Sequence, residues 1–177
     1  GVILTPPHSD NPLITQLLKS HKIPFAQIGS SGSYGGIPLT MGDEQAAANA
    51  TRFLRDLGHE RIGFITGSDE YVLSEWRLSG WEKAMTEHGL PKDGLKAEGD
   101  FSFASGRKAA LQLLKQDPRP TAILASNDQM AMACLEVASE QGLSVPYDLS
   151  VVSFDNTPIS ALTHPPLSAV DQPIAET

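Results

Sequence analysis

Four side chains of complementary chemistry each follow a short apolar run in this sequence. Asn127 stands in Ser126-Asn127-Asp128, directly after the run at 121–125, and Asp155 follows the run at 150–154. Arg77 comes soon after the run at 61–67, and Phe101 follows Asp100 after a short run near 95–98. An amide both donates and accepts hydrogen bonds, a carboxylate accepts hydroxyl protons, and a guanidinium donates through a rigid fork. An aromatic ring covers an apolar face, such as the C–H side of a sugar. Brought together, these groups suit a small polyhydroxylated or heterocyclic molecule. Each also has a purely structural role open to it. Asn127 or Asp128 can cap a helix, Asp155 with Asn156 can make a turn, Arg77 can form a surface ion pair, and Phe101 can belong to a core. A shared position on one rim is what would make them a site.

Catalytic chemistry finds less support. The five histidines (His8, His21, His59, His88, His164) have no metal-ligand spacing, and His59-Glu60-Arg61 lacks the second histidine of a zincin. There is no G-x-S-x-G nucleophile elbow. The glycine-rich loop at 29–36 lacks the Lys-Ser/Thr of a phosphate-binding loop. It also leads into a strand-like run and not a helix, so its amides are not set to hold phosphate. No catalytic residue, metal or cofactor is expected.

The elements that must position these side chains alternate between short β-rich runs and longer segments of helical period. Strands are expected at 1–5, 23–28, 37–41, 61–67, 95–98, 121–125, 150–154 and 167–171. Helices are expected from Asn11-Pro12 onward, from Asp43 as N-cap to Leu57, over 74–88, over 102–116, and from Asn127 or Asp128 to Gln141. Such alternation gives right-handed βαβ units and a parallel sheet. Ligands bind off the carboxyl ends of the strands in these sheets, which is where Asn127, Asp155, Arg77 and Phe101 fall. Of the Asn127-Asp128 pair, Asn127 is assigned to ligand and Asp128 to the cap, beside the positive end of its helix.

The chain has 177 residues, enough for one domain or two small lobes. With 40% hydrophobic and 19% charged residues it is neither disordered nor fibrous. A net charge of −8 argues against gripping nucleic acid with this surface. A single cysteine, Cys134, cannot form an internal disulfide framework, which points to a reducing, cytoplasmic setting. No apolar run reaches membrane-spanning length, so no membrane partner is expected. The chain opens in one strand-like run and stops just after another, as a cut through a larger protein would.

Several stretches carry a family resemblance: 57–67 (LGHERIGFITG), Arg-x-x-Gly-Trp at 77–81, 119–131 (RPTAILASNDQMA), 143–158 (LSVPYDLSVVSFDNTP) and 165–173 (PPLSAVDQP). In this order and spacing they resemble the effector-binding domain of the lactose-repressor/galactose-repressor (LacI/GalR) family of bacterial transcription regulators, over essentially the whole chain. The resemblance implies an α/β, periplasmic-binding-protein-like fold of type I: two parallel-sheet lobes joined by crossovers, with a ligand cleft between them. Residues 1–40 would be a partial N-terminal lobe, 41–155 the C-terminal lobe, and 156–177 the crossover back, with the DNA-binding headpiece absent.

The implied function is effector sensing and dimerisation in a regulator, expected to be a repressor. A small molecule, expected to be a sugar, binds between the lobes and controls operator binding through the headpiece. Residue by residue, Arg77 matches an arginine that holds effector and Phe101 an aromatic that stacks on it. Asn127 and Asp155 match the polar pair that hydrogen-bonds effector, and Gln172 matches a hinge residue near the cleft. Gly29 departs from the pattern, standing where many members carry an acid. The helix after Asn127 would lie at a homodimer interface. Met130, Cys134, Val137 and Ala138 form its sheet-facing stripe, leaving Met132 and Leu135 for the partner. A periplasmic-type solute-binding protein with the same fold and a nucleotide-using α/β enzyme are the competing readings.

Overall fold

The computed structural model describes residues 1–172. Two parallel sheets form. The smaller contains β1 (Val2–Leu4), β2 (Phe25–Ile28) and β3 (Ile37–Leu39), in that order, with α1 (Pro12–Ser20) between β1 and β2. The larger has the order β5-β4-β6-β7-β8, from β4 (Ile62–Ile65), β5 (Lys96–Ala97), β6 (Ala122–Ala125), β7 (Ser150–Asp155) and β8 (Ser168–Asp171). Its helices are α2 (Asp43–Asp56), α3 (Val72–Glu87), α4 (Phe103–Leu114) and α5 (Asp128–Glu140). Every strand pairing is parallel.

The central strands read as unbroken apolar runs because both of their faces are covered. Side chains alternate across a strand, so β6 sends Ile123 and Ala125 to one layer and Ala122 and Leu124 to the other. The first layer is closed by α4 and α5, with Leu113, Met130, Cys134 and Val137 buried there. The second is closed by α2 and α3 through Leu54, Trp81 and Met85. Trp81 stacks on Phe64 and donates from Nε1 to Ile62 O at 3.2 Å, so this tryptophan serves packing. The smaller sheet has a slight core of Leu4, Leu18 and Phe25.

Gly80 explains one position of the Arg-x-x-Gly-Trp stretch. A Cβ there would collide with the Glu44 carbonyl oxygen, a backbone atom of α2. The glycine lets α2 and α3 cross closely, and that crossing sets the height of Arg77 one turn earlier. At the amino ends of the strands, His59 plays a bracing role. Its Nδ1 lies 2.9 Å from Thr121 Oγ1 and its Nε2 lies 3.1 Å from Ser150 Oγ, tying the entries of β4, β6 and β7 together.

Two expectations need correction. Asp43 does not cap α2. Gly42 holds the N-cap position with φ 70°, and Asp43 is the first helical residue, its carboxylate turned toward Arg77. Asp128 does not cap α5 either. Asn127 does, accepting from Met130 N at 2.9 Å. The segment after 155 holds the strand expected at 167–171. It makes a 3₁₀ turn at Pro158–Leu162 and adds β8 as an edge strand beside β7. Ladder hydrogen bonds to β7 hold it in the larger sheet, and the remainder of the expected crossover lies outside the described residues.

Candidate functional site

The carboxyl ends of β4 to β8 form one rim, and each expected ligand residue can be placed on or beside it. Arg77 sits in the second turn of α3 with 2% of its side chain exposed. Its Nε donates to Asp43 Oδ1 at 2.8 Å, its Nη1 donates to the Ser126 carbonyl, and its guanidinium lies 4.4 Å over the Phe154 ring. Asp155 Oδ1 stands 3.7 Å from Nη2, close enough for attraction but beyond a good hydrogen bond. The fork is therefore largely committed inside the protein, with its Nη2 edge turned toward the rim.

Asp155 ends β7 with 31% of its side chain exposed. Its φ of 94° and the 55° of Asn156 lie in the left-handed region, an unfavourable state for residues with a Cβ. The strained turn projects the carboxylate past the end of the strand. Burial raises its pKa above the ordinary aspartate value; Arg77 opposes that rise, and Asp128 and Asp43 add to it.

Asn127 works in two directions. Its Oδ1 caps α5, and its Nδ2 donates to Phe101 O at 2.9 Å. Phe101 also has a positive φ, 71°, and its ring meets Tyr71 edge-on with centroids 5.3 Å apart. The ring rests against Gly67, where any side chain would displace it. Gln172 follows Asp171, which pairs with Asp155 in the β7–β8 ladder, so the ladder delivers Gln172 to the same rim. Asp128 ties the turn after β7, accepting from Ser153 Oγ at 2.6 Å and from Thr157 N and Oγ1 at 2.7 and 2.6 Å.

Two rim residues escaped the sequence reading. By its position Asp43 reads as a helix cap, and only its distance from Arg77 reveals the ion pair. Tyr71, an aromatic in the polar stretch Asp69-Glu70-Tyr71, was a readable signal, since such a side chain in a loop needs a partner. Met132 and Leu135 lie half-buried on α5, off the fully buried stripe of Met130, Cys134, Val137 and Ala138. Gly29 lies against Pro6, with Leu73 of α3 close by. Among the described residues, no cluster of three or more His, Cys, Asp or Glu side chains could hold a metal, and no helix is long and apolar enough to cross a membrane. A groove of about 500 Å³ flanks the rim, between α3 and the ends of β4 and β5, and none of the five expected ligand residues lines it.

The sequence profile of the periplasmic binding protein-like domain matches residues 51–177. Catabolite control protein A of Priestia megaterium is 39% identical over 160 residues, covering 89% of this chain and 48% of that protein. The chain thus spans about half the length of this relative. Among solved structures, the CelR–cellobiose complex of a transcriptional regulator superposes with a TM-score of 0.87 at 32% identity, over 98% of this chain and 54% of that one. The lac repressor dimer bound to operator and the anti-inducer ONPF gives 0.87 at 31% identity, over 98% of this chain and 60% of that one.

Proposed function

The chain belongs to the periplasmic binding protein-like domain family and, within it, to the LacI-type transcriptional regulators, and from that premise we propose that it is the effector-sensing and dimerisation part of a cytoplasmic repressor. The effector is a small polyhydroxylated molecule, a sugar. The observation that carries this reading is the convergence of Arg77, Asn127, Phe101 and Asp155 on one rim. Asp155 accepts ligand hydroxyl protons, and the Nη2 edge of Arg77 donates beside it. Asn127 holds the Phe101 loop, and the aromatic ring offers an apolar face. Gln172 stands at the exit from the larger sheet, beside the hinge. Residues 1–40 supply part of one lobe and 41–155 the other. CelR was solved with cellobiose, which favours a sugar here too.

Effector bridging the lobes favours one closure angle, and a dimer's DNA-binding headpieces match the operator in only one state. The shift equals the ligand's difference in affinity between the two states. No covalent step is required, so the domain is not an enzyme. The relatives are regulators, which favours this reading over a solute-binding protein of the same fold. The test is operator binding by the full-length protein, followed by fluorescence anisotropy while a sugar panel is titrated. Asp155→Ala is expected to keep operator affinity and lose the effector response; a normal response would remove Asp155 from the site.

A further inference from the structure

Little ties the smaller sheet to the larger one. No sheet spans both. Among the described residues, no ion pair and no loop or turn backbone hydrogen bond links residues 1–40 to those from 43 onward. An apolar contact does cross between them. Gly29, just past the end of β2, takes φ 61°, and a Cβ added there would lie 3.2 Å from Pro6 Cγ and 3.7 Å from Leu73 Cδ2. Leu73 is the second residue of α3, which packs on the larger sheet, so its half-buried side chain reaches the other lobe's backbone. A glycine suits this seat twice, by its left-handed φ and by leaving the backbone bare for Leu73 and Pro6.

Both halves of the contact are held in place. On the side of the smaller sheet, Gly29 N donates to Leu39 O at 2.8 Å. Ser9 Oγ donates to Ile28 O, Gln27 Nε2 to Ser9 O, and Ser30 Oγ to Asp10 Oδ1. Ser9, Gln27 and Ser30 are all buried, so water does not compete for these bonds. The loop after β1 and the end of β2 thus form one wall, with Pro6 and Gly29 on it. On the other side, Leu73 lies one turn before Arg77 on the same face of α3. Arg77 is fixed by Asp43 and by the Ser126 carbonyl, which fixes that turn of the helix as well.

We propose that Leu73 seated against the Pro6–Gly29 wall is an interlobe latch, which holds the two lobes together before any effector arrives. The contact is one small apolar surface, which favours the closed arrangement about fivefold. Such a bias keeps the closed form prevalent and still lets the lobes part for a molecule to enter or leave. Its bearing on regulation rests on the effector reading above: favouring closure raises the fraction of binding-competent molecules, and so the apparent affinity, without touching the effector. The latch itself is a property of the ligand-free protein.

The test is a distance measurement on the ligand-free full-length protein. Spin labels are placed on Gln16→Cys in α1 and Glu82→Cys in α3; both positions are exposed, and Cys134 is buried. Mixing with excess unlabelled protein makes distances within one chain dominate. Double electron–electron resonance is expected to give a single narrow distance. Leu73→Asp is expected to displace and broaden it, with the closed-to-open ratio down about fivefold or more. The substitution spares α3, because a carboxylate is favourable in the first turn of a helix that lacks a side-chain cap. Leu73→Met keeps an apolar side chain of similar size and is expected to match the wild type. Leu73→Ala is expected to shift the distance in the same direction as the aspartate variant, and it serves if that variant melts early. Unchanged distances in both the aspartate and alanine variants would overturn the latch and leave the sugar reading intact. A methionine variant as open as the aspartate one would overturn it too. The expected shifts in a protein that binds none of the sugars would support the latch and bring down the sugar reading alone.

Discussion

Arg77 and Asp43 form a buried ion pair, Nε to Oδ1 at 2.8 Å, joining the starts of α2 and α3 beneath the rim. A buried pair of this kind is a poor source of net stability, because both ions lose water. Its consequence is positional. Asp43 takes Nε and the Ser126 carbonyl takes Nη1, which leaves Nη2 beside Asp155.

Breaking the pair from one side leaves an uncompensated buried charge. Asp43→Ala is expected to cost about 3–5 kcal/mol of unfolding free energy, measured by urea denaturation. Asp43→Asn keeps an acceptor for Nε and is expected to cost clearly less. A loss under 1 kcal/mol for the alanine variant, roughly the worth of an exposed pair, would mean that water reaches Arg77.

As the proposed effector contact, Asp155 is expected to give binding a pH dependence with a definite sign. Its folded pKa is raised, chiefly by burial, so its proton leaves later than from an ordinary aspartate. A hydroxylated ligand needs the ionised form. Affinity is therefore expected to be full near neutral pH and to fall on acidification, beginning above the ordinary aspartate range. The same shift means that ionised Asp155 slightly opposes folding, and that this opposition fades as pH drops through the raised pKa. Titrations of wild type and Asp155→Asn at a series of pH values check this. An Asn variant with the same acid loss as wild type would assign the dependence elsewhere.

Asn127 and Asp128 can be separated by isosteric exchange. Asn127→Asp retains a capping oxygen but sets a carboxylate against the Phe101 carbonyl. It is expected to preserve most of the thermal stability and to weaken ligand binding through a displaced Phe101. Asn127→Ala loses the cap as well, at about 0.5–2 kcal/mol. Asp128→Asn weakens the three bonds that hold the turn after β7, and its effect should appear first in melting temperature. Circular dichroism melts beside ligand titrations distinguish the cases.

Met132 and Leu135 test the dimer. Met132→Asp places a carboxylate on the half-buried face of α5, away from the core stripe. It is expected to shift the full-length protein toward monomer in sedimentation velocity, with little change in its circular dichroism. An unchanged dimer would move the interface to another surface.

Much of this molecule is written in local sequence. Unbroken apolar runs such as Ala122–Ala125 are bounded by helical periods, and parallel pairing follows because such runs need cover on both faces. The stripe of Met130, Cys134, Val137 and Ala138 fixes which side of α5 meets the sheet. Placing Asn127 and Asp155 at strand ends needed nothing beyond counting residues. The partners of polar groups were not legible in the same way. Asp43 and Asp128 both sit at helix starts, where a carboxylate commonly caps, yet each turns to a group remote in the chain: Arg77, 34 positions away, and Thr157, 29 positions away. A cap and a buried ion pair use the same residue at the same spacing. What separates them is whether a cation or a hydroxyl arrives from another element, and only packing brings it there. The groove flanking the rim is of the same kind, since a cavity belongs to surfaces from three elements and has no signature in any one of them.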